Sequence, residues 1–343
     1  MLHRRTALLL SFLAVTACGH DHGAPPPGDT TAPVDGDTSD APSHPLDGIL
    51  RLNHLQIKGT HNSYHLPPEE LVVPEWDYEH APLDEQLDSL GVRQVELDVH
   101  WDPEAGFRVY HIPLLDGRST CDTFLECLGI LKTWSDAHPG HAPLFVLVEP
   151  KDDIDPTPIT GHYDALDAEI LSVWPRTRLI TPDDVRGAHP DLHSALAADG
   201  WPLLAACRGK ALFQMLDSGD HRTAYLAPDP TLSGRPMFVR GGPGEPWGAF
   251  VEIGDATGRE DEIRGLVEQG YMVRTAADST DPEKAALNPA RAQAALDSGA
   301  HLISTDFPAP GVDGGTTFDL PGGAPVRCNP VAAPAACVDD ALE

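Results

Sequence analysis

Two histidines and three carboxylates stand where a strand would deliver them. His61 lies in Lys58-Gly59-Thr60-His61-Asn62-Ser63-Tyr64, Glu96 and Asp98 in Val95-Glu96-Leu97-Asp98-Val99, and His111 in Val109-Tyr110-His111-Ile112-Pro113. Glu149 ends the apolar run Leu144-Phe145-Val146-Leu147-Val148. Glu96 and Asp98 are two apart, so on a strand both point to one face while Val95, Leu97 and Val99 face the other way. Two carboxylates on an inner face repel unless protons or a cation relieve them. With Glu149 and the amide oxygen of Asn62 they make an oxygen-rich set that suits a hard cation such as Ca2+; zinc would want more nitrogen or sulfur. His61 and His111 each lie near a ligand candidate and could divide the work of accepting and donating a proton. Such a set suits metal-assisted acid/base chemistry on a phosphodiester.

Each of these residues has a structural alternative. Glu96 and Asp98 could pair with interior arginines or lysines, and any one of 17 histidines is weak as a marker. Lys151, two residues after Glu149, could hold a phosphate, tune the carboxylates or sit solvated in a loop. Arg274, in Val273-Arg274-Thr275, suits an anionic head group or a structural ion pair.

The elements that must position these residues alternate. Strands are expected at Leu55–Gly59, Gln94–His100, Arg108–Ile112, Leu144–Glu149, Ala211–Leu216, Met237–Arg240, Met272–Ala276 and His301–Thr305. Helical patterns fall at Leu83–Leu90, Thr123–Ala137, Tyr163–Val173, Arg259–Gln269 and Pro289–Ser298. The short link between Gln94–His100 and Arg108–Ile112 favours a hairpin at a barrel mouth over a crossover. Polar residues at several strand ends place an active site at the mouth of a parallel barrel. The expected fold is an α/β, distorted TIM (β/α)8 barrel forming a single catalytic domain over 46–310, with a loop-rich tail at 311–343.

The start of the chain reads as an address. Arg4 and Arg5 precede the short apolar run Ala7 to Val15, and Val15-Thr16-Ala17-Cys18 resembles a bacterial lipobox. Residues 1–18 are expected to be a lipoprotein signal peptide with Cys18 lipidated; cleavage near Ala17 as an ordinary signal peptide is the alternative. Residues 19–45, rich in Pro, Gly, Asp, Ser and Thr, read as a disordered linker. The protein is then expected in the bacterial cell envelope, lipid-anchored on the periplasmic side or at the cell surface, and monomeric.

A formal net charge of −30 argues against a nucleic-acid partner, which needs a basic face. It also means that an anionic substrate has to be held by a bound cation or by local basic residues. Export permits disulfides. Cys121/Cys127 and Cys328/Cys337 are the natural local pairs by proximity, although spacing alone does not fix connectivity. Cys207 is left over as a buried thiol.

His61-Asn62-Ser63-Tyr64, Glu96-x-Asp98, His111, the strand ending in Glu149 and the late His301-Leu302-Ile303-Ser304-Thr305-Asp306-Phe307-Pro308 together closely resemble the calcium-dependent phosphoinositide-specific phospholipase C catalytic domain, its bacterial branch above all. The likeness covers roughly residues 50 to 310. It implies that His61 acts on the inositol 2-hydroxyl side and stabilises the pentavalent phosphate, and that His111 protonates the leaving diacylglycerol oxygen. It implies Asn62, Glu96, Asp98 and Glu149 as Ca2+ ligands and a cyclic inositol phosphate as product. No dense basic cluster for extra phosphates is visible, so phosphatidylinositol or a soluble glycerophosphoinositol is the expected substrate.

Two other readings compete. Glycerophosphodiester phosphodiesterases share the barrel, the histidines, a Glu-x-Asp and a divalent metal. They usually open with His-Arg-Gly, where this chain has His61-Asn62-Ser63, and their second histidine is commonly followed by Asp, where it has Ile112. A non-catalytic, envelope-anchored binding protein on a barrel scaffold is the other; the intact catalytic set argues against it.

Overall fold

The computed structural model describes residues 44–152, 157–278, 288–310 and 317–343. The expected signal peptide, Cys18 and nearly all of the linker lie outside the described residues. The strands are β1 (Leu55–Thr60), β2 (Gln94–Asp102), β3 (Gly106–Val109), β4 (Leu144–Pro150), β5 (Ala211–Met215), β6 (Met237–Val239), β7 (Phe250–Asp255), β8 (Met272–Ala276), β9 (Leu302–Thr305) and β10 (Val326–Cys328). The helices are α1 (Leu83–Asp88), α2 (Phe124–Ala137), α3 (Tyr163–Val173), α4 (Pro182–Arg186), α5 (Leu192–Ala198), α6 (Asp220–Leu226), α7 (Glu260–Glu268) and α8 (Pro289–Ser298).

Eight strands run parallel in the order β6-β5-β4-β2-β1-β9-β8-β7. A bridge between Arg240 and Phe250, with Gly241 N donating to Phe250 O at 2.8 Å, brings the two outer strands together and nearly closes the sheet. This is a TIM-barrel-like α/β domain, and the described residues fall in one compact unit. The helices cap as their sequences dictate. The Thr123 side chain accepts from Glu126 N at the start of α2, and Asn288 caps α8 with Pro289 in its first turn. On α2 the buried face comprises Phe124, Cys127, Leu128, Leu131 and Trp134.

Register fixes which side chains line the interior, because paired residues share a face. Gln94, Glu96 and Asp98 pair with Phe145, Leu147 and Glu149. Leu147 pairs in turn with Gln214, Arg274 with Glu252, and Arg274 with Leu302. The interior therefore mixes apolar side chains such as Phe145 and Leu147 with polar and charged ones, and Asp98 and Glu149 lie nearest the C-terminal mouth.

The β1/β2 seam is thin, with a single register pair at Gly59↔Gln94. Gly59 is required there: a Cβ would lie 1.9 Å from Gln94 Oε1. The lower part of that β1 edge is taken by β10, which pairs antiparallel through Leu55↔Cys328 to Ile57↔Val326. The stretch expected as a loop-rich tail thus contributes a strand. It also carries a disulfide, Cys328–Cys337, and Glu343 at its end binds Arg93 at 2.6 Å. A second disulfide joins Cys121 to Cys127, and Cys207 is a buried free thiol.

β3 is antiparallel to β2, from Val99↔Val109 to Asp102↔Gly106, so it is a hairpin arm and not a barrel strand. It ends at Val109, earlier than the sequence pattern suggested, and His111 lies in the bend beyond. The sixth barrel strand along the chain, β7, and the short helices α4 to α6 have no clear periodic signature. Phe250-Val251-Glu252-Ile253-Gly254-Asp255 breaks its apolar run with a charge and a glycine.

Candidate active site

His61 follows β1 directly. Its Nδ1 lies 2.8 Å from Asp306 Oδ1, just past β9, and its Nε2 lies 3.7 Å from Glu96 Oε1. Burial alone would lower its pKa, but the carboxylates of Asp306 and Glu96 outweigh that and raise it to about 10. Asp306 is held in turn by Asp278, whose Oδ1 accepts from Asp306 N at 3.0 Å.

Asn62 takes a left-handed backbone conformation, φ 42°, which asparagine tolerates better than most residues. The amide is buried and its Nδ2 donates to Tyr78 Oη at 3.1 Å, while Oδ1 has no hydrogen-bond partner. Asp98 is fully buried, and neither of its oxygens accepts a hydrogen bond of good geometry; Oδ2 lies 3.2 Å from Lys151 Nζ. Lys151 also lies 2.7 Å from Glu149 Oε1. Oxygens of Glu96, Asp98 and Glu149 converge within 4.8 Å. Burial, and then the Glu149 charge, push the Asp98 carboxyl well above the usual range. Glu96 is also raised, by burial first, against the pull of Arg274. Lys151 is held firmly protonated by Asp98 and Glu149, which outweigh the effect of its burial.

Convergent carboxylates and buried acceptors without donors are a cradle for a hard cation, since such groups are otherwise costly to bury. The residues present fit Ca2+, with Asn62, Glu96, Asp98 and Glu149 as the ones that would hold it.

Arg274 on β8 is wholly engaged in the interior. It donates to Glu96 Oε2 and Glu252 Oε1, each at 2.8 Å, and to Ser304 Oγ at 3.0 Å. Arg240 lies 3.0 Å from the other oxygen of Glu252, so a ladder of alternating charge crosses the barrel floor to Glu96. This is the geometry of an interior ion pair that orients the Glu96 carboxylate.

His111 sits at the foot of a tight turn. Ile112 and Asp116 exchange two backbone hydrogen bonds of 2.9 Å, and Leu114 at its tip has φ 66°. The turn folds Asp116 back onto His111, whose Nδ1 lies 2.8 Å from Asp116 Oδ2. Trp76 meets the His111 ring edge-on at 5.9 Å. Leu114 and Leu115 are exposed on this turn and share a surface cleft with exposed Val72, which Leu71, also exposed, precedes in sequence.

The structure brings His61, Asn62, Glu96, Asp98, Glu149 and Lys151 into one cluster, with Arg274 beneath it. Tyr78 links that cluster to His111: its Oη accepts from Asn62, and its ring stacks on His65, a neighbour of His111. Sequence reasoning missed Asp306, Asp116, Tyr78, Glu252 and Arg240. Asp306 was within reach, because it ends the recognised closing strand. Asp116 had no local signal.

A family model described as Phosphoinositide phospholipase C, Ca2+-dependent, matches residues 50–107 and 103–330. Among solved structures, a calcium-dependent phosphoinositol-specific phospholipase C from a Gram-negative Pseudomonas species is similar at 19% identity and TM-score 0.56, over 81% of this chain and 95% of that one. A Ca2+-dependent phosphatidylinositol-specific phospholipase C from Streptomyces antibioticus is similar at 22% identity and TM-score 0.55, over 75% of this chain and 95% of that one. No curated protein matches the chain.

Proposed function

The chain belongs to the Ca2+-dependent phosphoinositide phospholipase C family, and from that premise we propose that His61 and His111 divide the proton transfers of phosphatidylinositol cleavage beside a Ca2+ site made by Asn62, Glu96, Asp98 and Glu149. The enzyme is a phosphoric diester hydrolase of this type, acts on phosphatidylinositol-like lipid and depends on Ca2+. The observation that carries the site assignment is the convergence of the Glu96, Asp98 and Glu149 oxygens within 4.8 Å, beside a buried Asn62 Oδ1 without a donor and with Lys151 as the cation nearest Asp98.

Held by these residues, Ca2+ would supply Lewis acidity, lowering the pKa of the attacking hydroxyl and offsetting the negative charge that develops on the phosphate oxygens. His61 works on the side of the inositol 2-hydroxyl. It takes up the proton there and, as an imidazolium fixed by Asp306, stabilises the charge that builds on phosphorus. Glu96 and Asp306 hold a proton on His61; a cation held by Glu96 would weaken that hold and free the ring to accept. His111, its Nδ1 committed to Asp116, uses Nε2 to protonate the leaving diacylglycerol oxygen. Attack by the 2-hydroxyl oxygen forms the new P–O bond as the bond to the glycerol oxygen breaks, giving diacylglycerol and a cyclic inositol phosphate.

Lys151 is assigned to the substrate phosphate, because its ammonium lies in the cluster, 3.2 Å from Asp98 Oδ2 and 2.7 Å from Glu149 Oε1. Arg274 contributes positive field from the floor while orienting Glu96. Exposed Leu71, Val72, Leu114 and Leu115 suit a lipid surface better than a soluble glycerophosphoinositol.

The assignment extends to the address: export, lipidation at Cys18, a linker to residue 45, the barrel at 46–310, the tail at 311–343, and a monomer in the bacterial envelope. Among the described residues no helix is long and apolar enough to cross a membrane. The sequence of the leader supports an anchor by lipid.

His61→Ala and His111→Ala test the division of labour. Each should lower turnover on phosphatidylinositol by on the order of 10²-fold or more while the fold and the Ca2+ affinity persist. Near-native turnover in either variant sinks that residue's role.

A further inference from the structure

His65 has no part in these proton transfers, yet its side chain is fully buried and both ring nitrogens are engaged. Nδ1 lies 3.0 Å from the carbonyl oxygen of Tyr78, and Nε2 lies 2.9 Å and 3.0 Å from the two oxygens of Asp116. A carbonyl only accepts, so Nδ1 carries a hydrogen. Burial pushes the Asp116 carboxyl up, but the hydrogen bonds from His111 and His65 more than offset it and hold Asp116 below its ordinary range. An ionised carboxylate also only accepts, so Nε2 carries a hydrogen as well. The His65–Asp116 couple thus holds one proton more than a neutral imidazole and a carboxylate, and its net charge is nil.

The same oxygen, Asp116 Oδ2, takes the His111 Nδ1 hydrogen bond at 2.8 Å. His65 itself cannot turn away. Tyr78 stacks on it at 4.1 Å with planes 16° apart, and His111 meets its edge at 6.3 Å. Trp76, also uncharged, closes the other side of His111. The nearest further titratable ring is His80, edge-on to Tyr78 and lowered by burial to about 4; Asp98 and Asp306 act on Tyr78 from across the site.

Resting on the reading of His111 as the leaving-group acid, we propose that His65 is a positioning residue for it: acting through Asp116, His65 fixes His111 in the Nδ1–H tautomer and cancels the charge of the carboxylate on which that ring rests. Nε2 is then the His111 nitrogen presented to substrate, and which nitrogen of a histidine is free is set by the bond the other makes. A bare buried carboxylate would bind the His111 proton more firmly and slow its delivery. The His65 charge offsets that pull while leaving the orienting hydrogen bond intact. The metal cluster meets this relay only through the main chain, where His65 N donates to Asn62 O at 2.8 Å; the side-chain bonds of His65 and Asp116 go to Tyr78 O, to His111 and to each other.

His65→Gln keeps a donor for Asp116 and removes the charge. On phosphatidylinositol vesicles with saturating Ca2+, kcat should fall by about 10- to 100-fold, the usual cost of losing an outer partner that orients an imidazole. The alkaline limb of the kcat profile should move to higher pH, while KM and the Ca2+ concentration at half-activation stay unchanged. A folded His65→Gln variant with an unmoved pH profile and native kcat overturns the proposal. Nitrogen-15 NMR of the native enzyme decides the matter even if that variant does not fold. His65 should be protonated at both nitrogens and His111 at Nδ1; a bare nitrogen on His65 overturns the proposal. His111→Ala is the separate arm. Native turnover there refutes the acid assignment itself, whatever the His65 spectrum shows.

Discussion

Replacing Asp98 by asparagine should stabilise the protein when calcium is absent and remove the stabilisation that calcium confers. The oxygens of Glu96, Asp98 and Glu149 lie within 4.8 Å of one another, and Lys151 Nζ lies 3.2 Å from Asp98 Oδ2. At an effective dielectric of about 20, each of the two carboxylate repulsions on Asp98 is worth about 3.5 kcal/mol and the attraction to Lys151 about 5 kcal/mol. A net repulsion of about 2 kcal/mol remains, before the cost of burying the charge. Asparagine keeps the shape and removes that term. Urea unfolding in EGTA should show the variant more stable by about 1–2 kcal/mol. In calcium the order should reverse. A ligand at 100 times its Kd adds about 2.7 kcal/mol to the native enzyme, and the variant should gain little of it. Activity should fall with the lost calcium response. If Asp98→Asn destabilises the protein as much in EGTA as in calcium, the carboxylates are an ordinary buried ion-pair cluster around Lys151, and the cation-cradle argument fails.

Other consequences can be checked separately. His61 should titrate near 10 by NMR in EGTA, and calcium should lower that value; no calcium-induced change would separate His61 from the ion. Since its folded pKa lies above the unfolded 6.5, its pairing with Asp306 contributes stability that is complete below about pH 6.5 and lost as pH rises towards 10. Asp306→Asn should flatten that dependence in stability measurements made across the same range. Gly59→Ala should cost about 1–3 kcal/mol in urea unfolding by overpacking, because its Cβ would meet Gln94 Oε1. Gln94→Ala should recover part of it, since only the Gln94 Cβ, at 2.9 Å, would still crowd the new methyl, and a cost undiminished in the double variant would refute the clash with the amide. Cys18→Ser should release the protein from membranes on fractionation; persistent binding would refute the lipid anchor.

Much of the site was legible because strand chemistry is local. Glu96-x-Asp98 needs only the two-residue period to place both carboxylates inside, and the register with β4 sets Glu149 beside Asp98. The barrel followed from apolar runs such as Leu144-Phe145-Val146-Leu147-Val148, which only a doubly covered strand explains. What stayed hidden depends on contacts far apart in sequence. β7 carries Glu252, whose value lies in pairing with Arg240 and Arg274 across the floor. Asp116 acquires its role only when a turn with a left-handed leucine folds it onto His111 and His65. β10 is three residues long, and nothing in Val326-Arg327-Cys328 says that it will fill the β1 edge where β2 diverges. Arg274 was equally suited by sequence to a substrate phosphate or an ion pair, and only its partners show how it is held.

The central claim is that this barrel cleaves an inositol phosphodiester with calcium at the Asn62, Glu96, Asp98 and Glu149 cluster. Phosphorus NMR of the purified enzyme with phosphatidylinositol vesicles, first in Ca2+ and then in EGTA, tests it most directly. The account predicts a cyclic inositol phosphate signal that grows in Ca2+, is absent in EGTA and is lost in Asp98→Asn. Equal turnover in both conditions, or glycerol 3-phosphate as the phosphorus-bearing product, would contradict it.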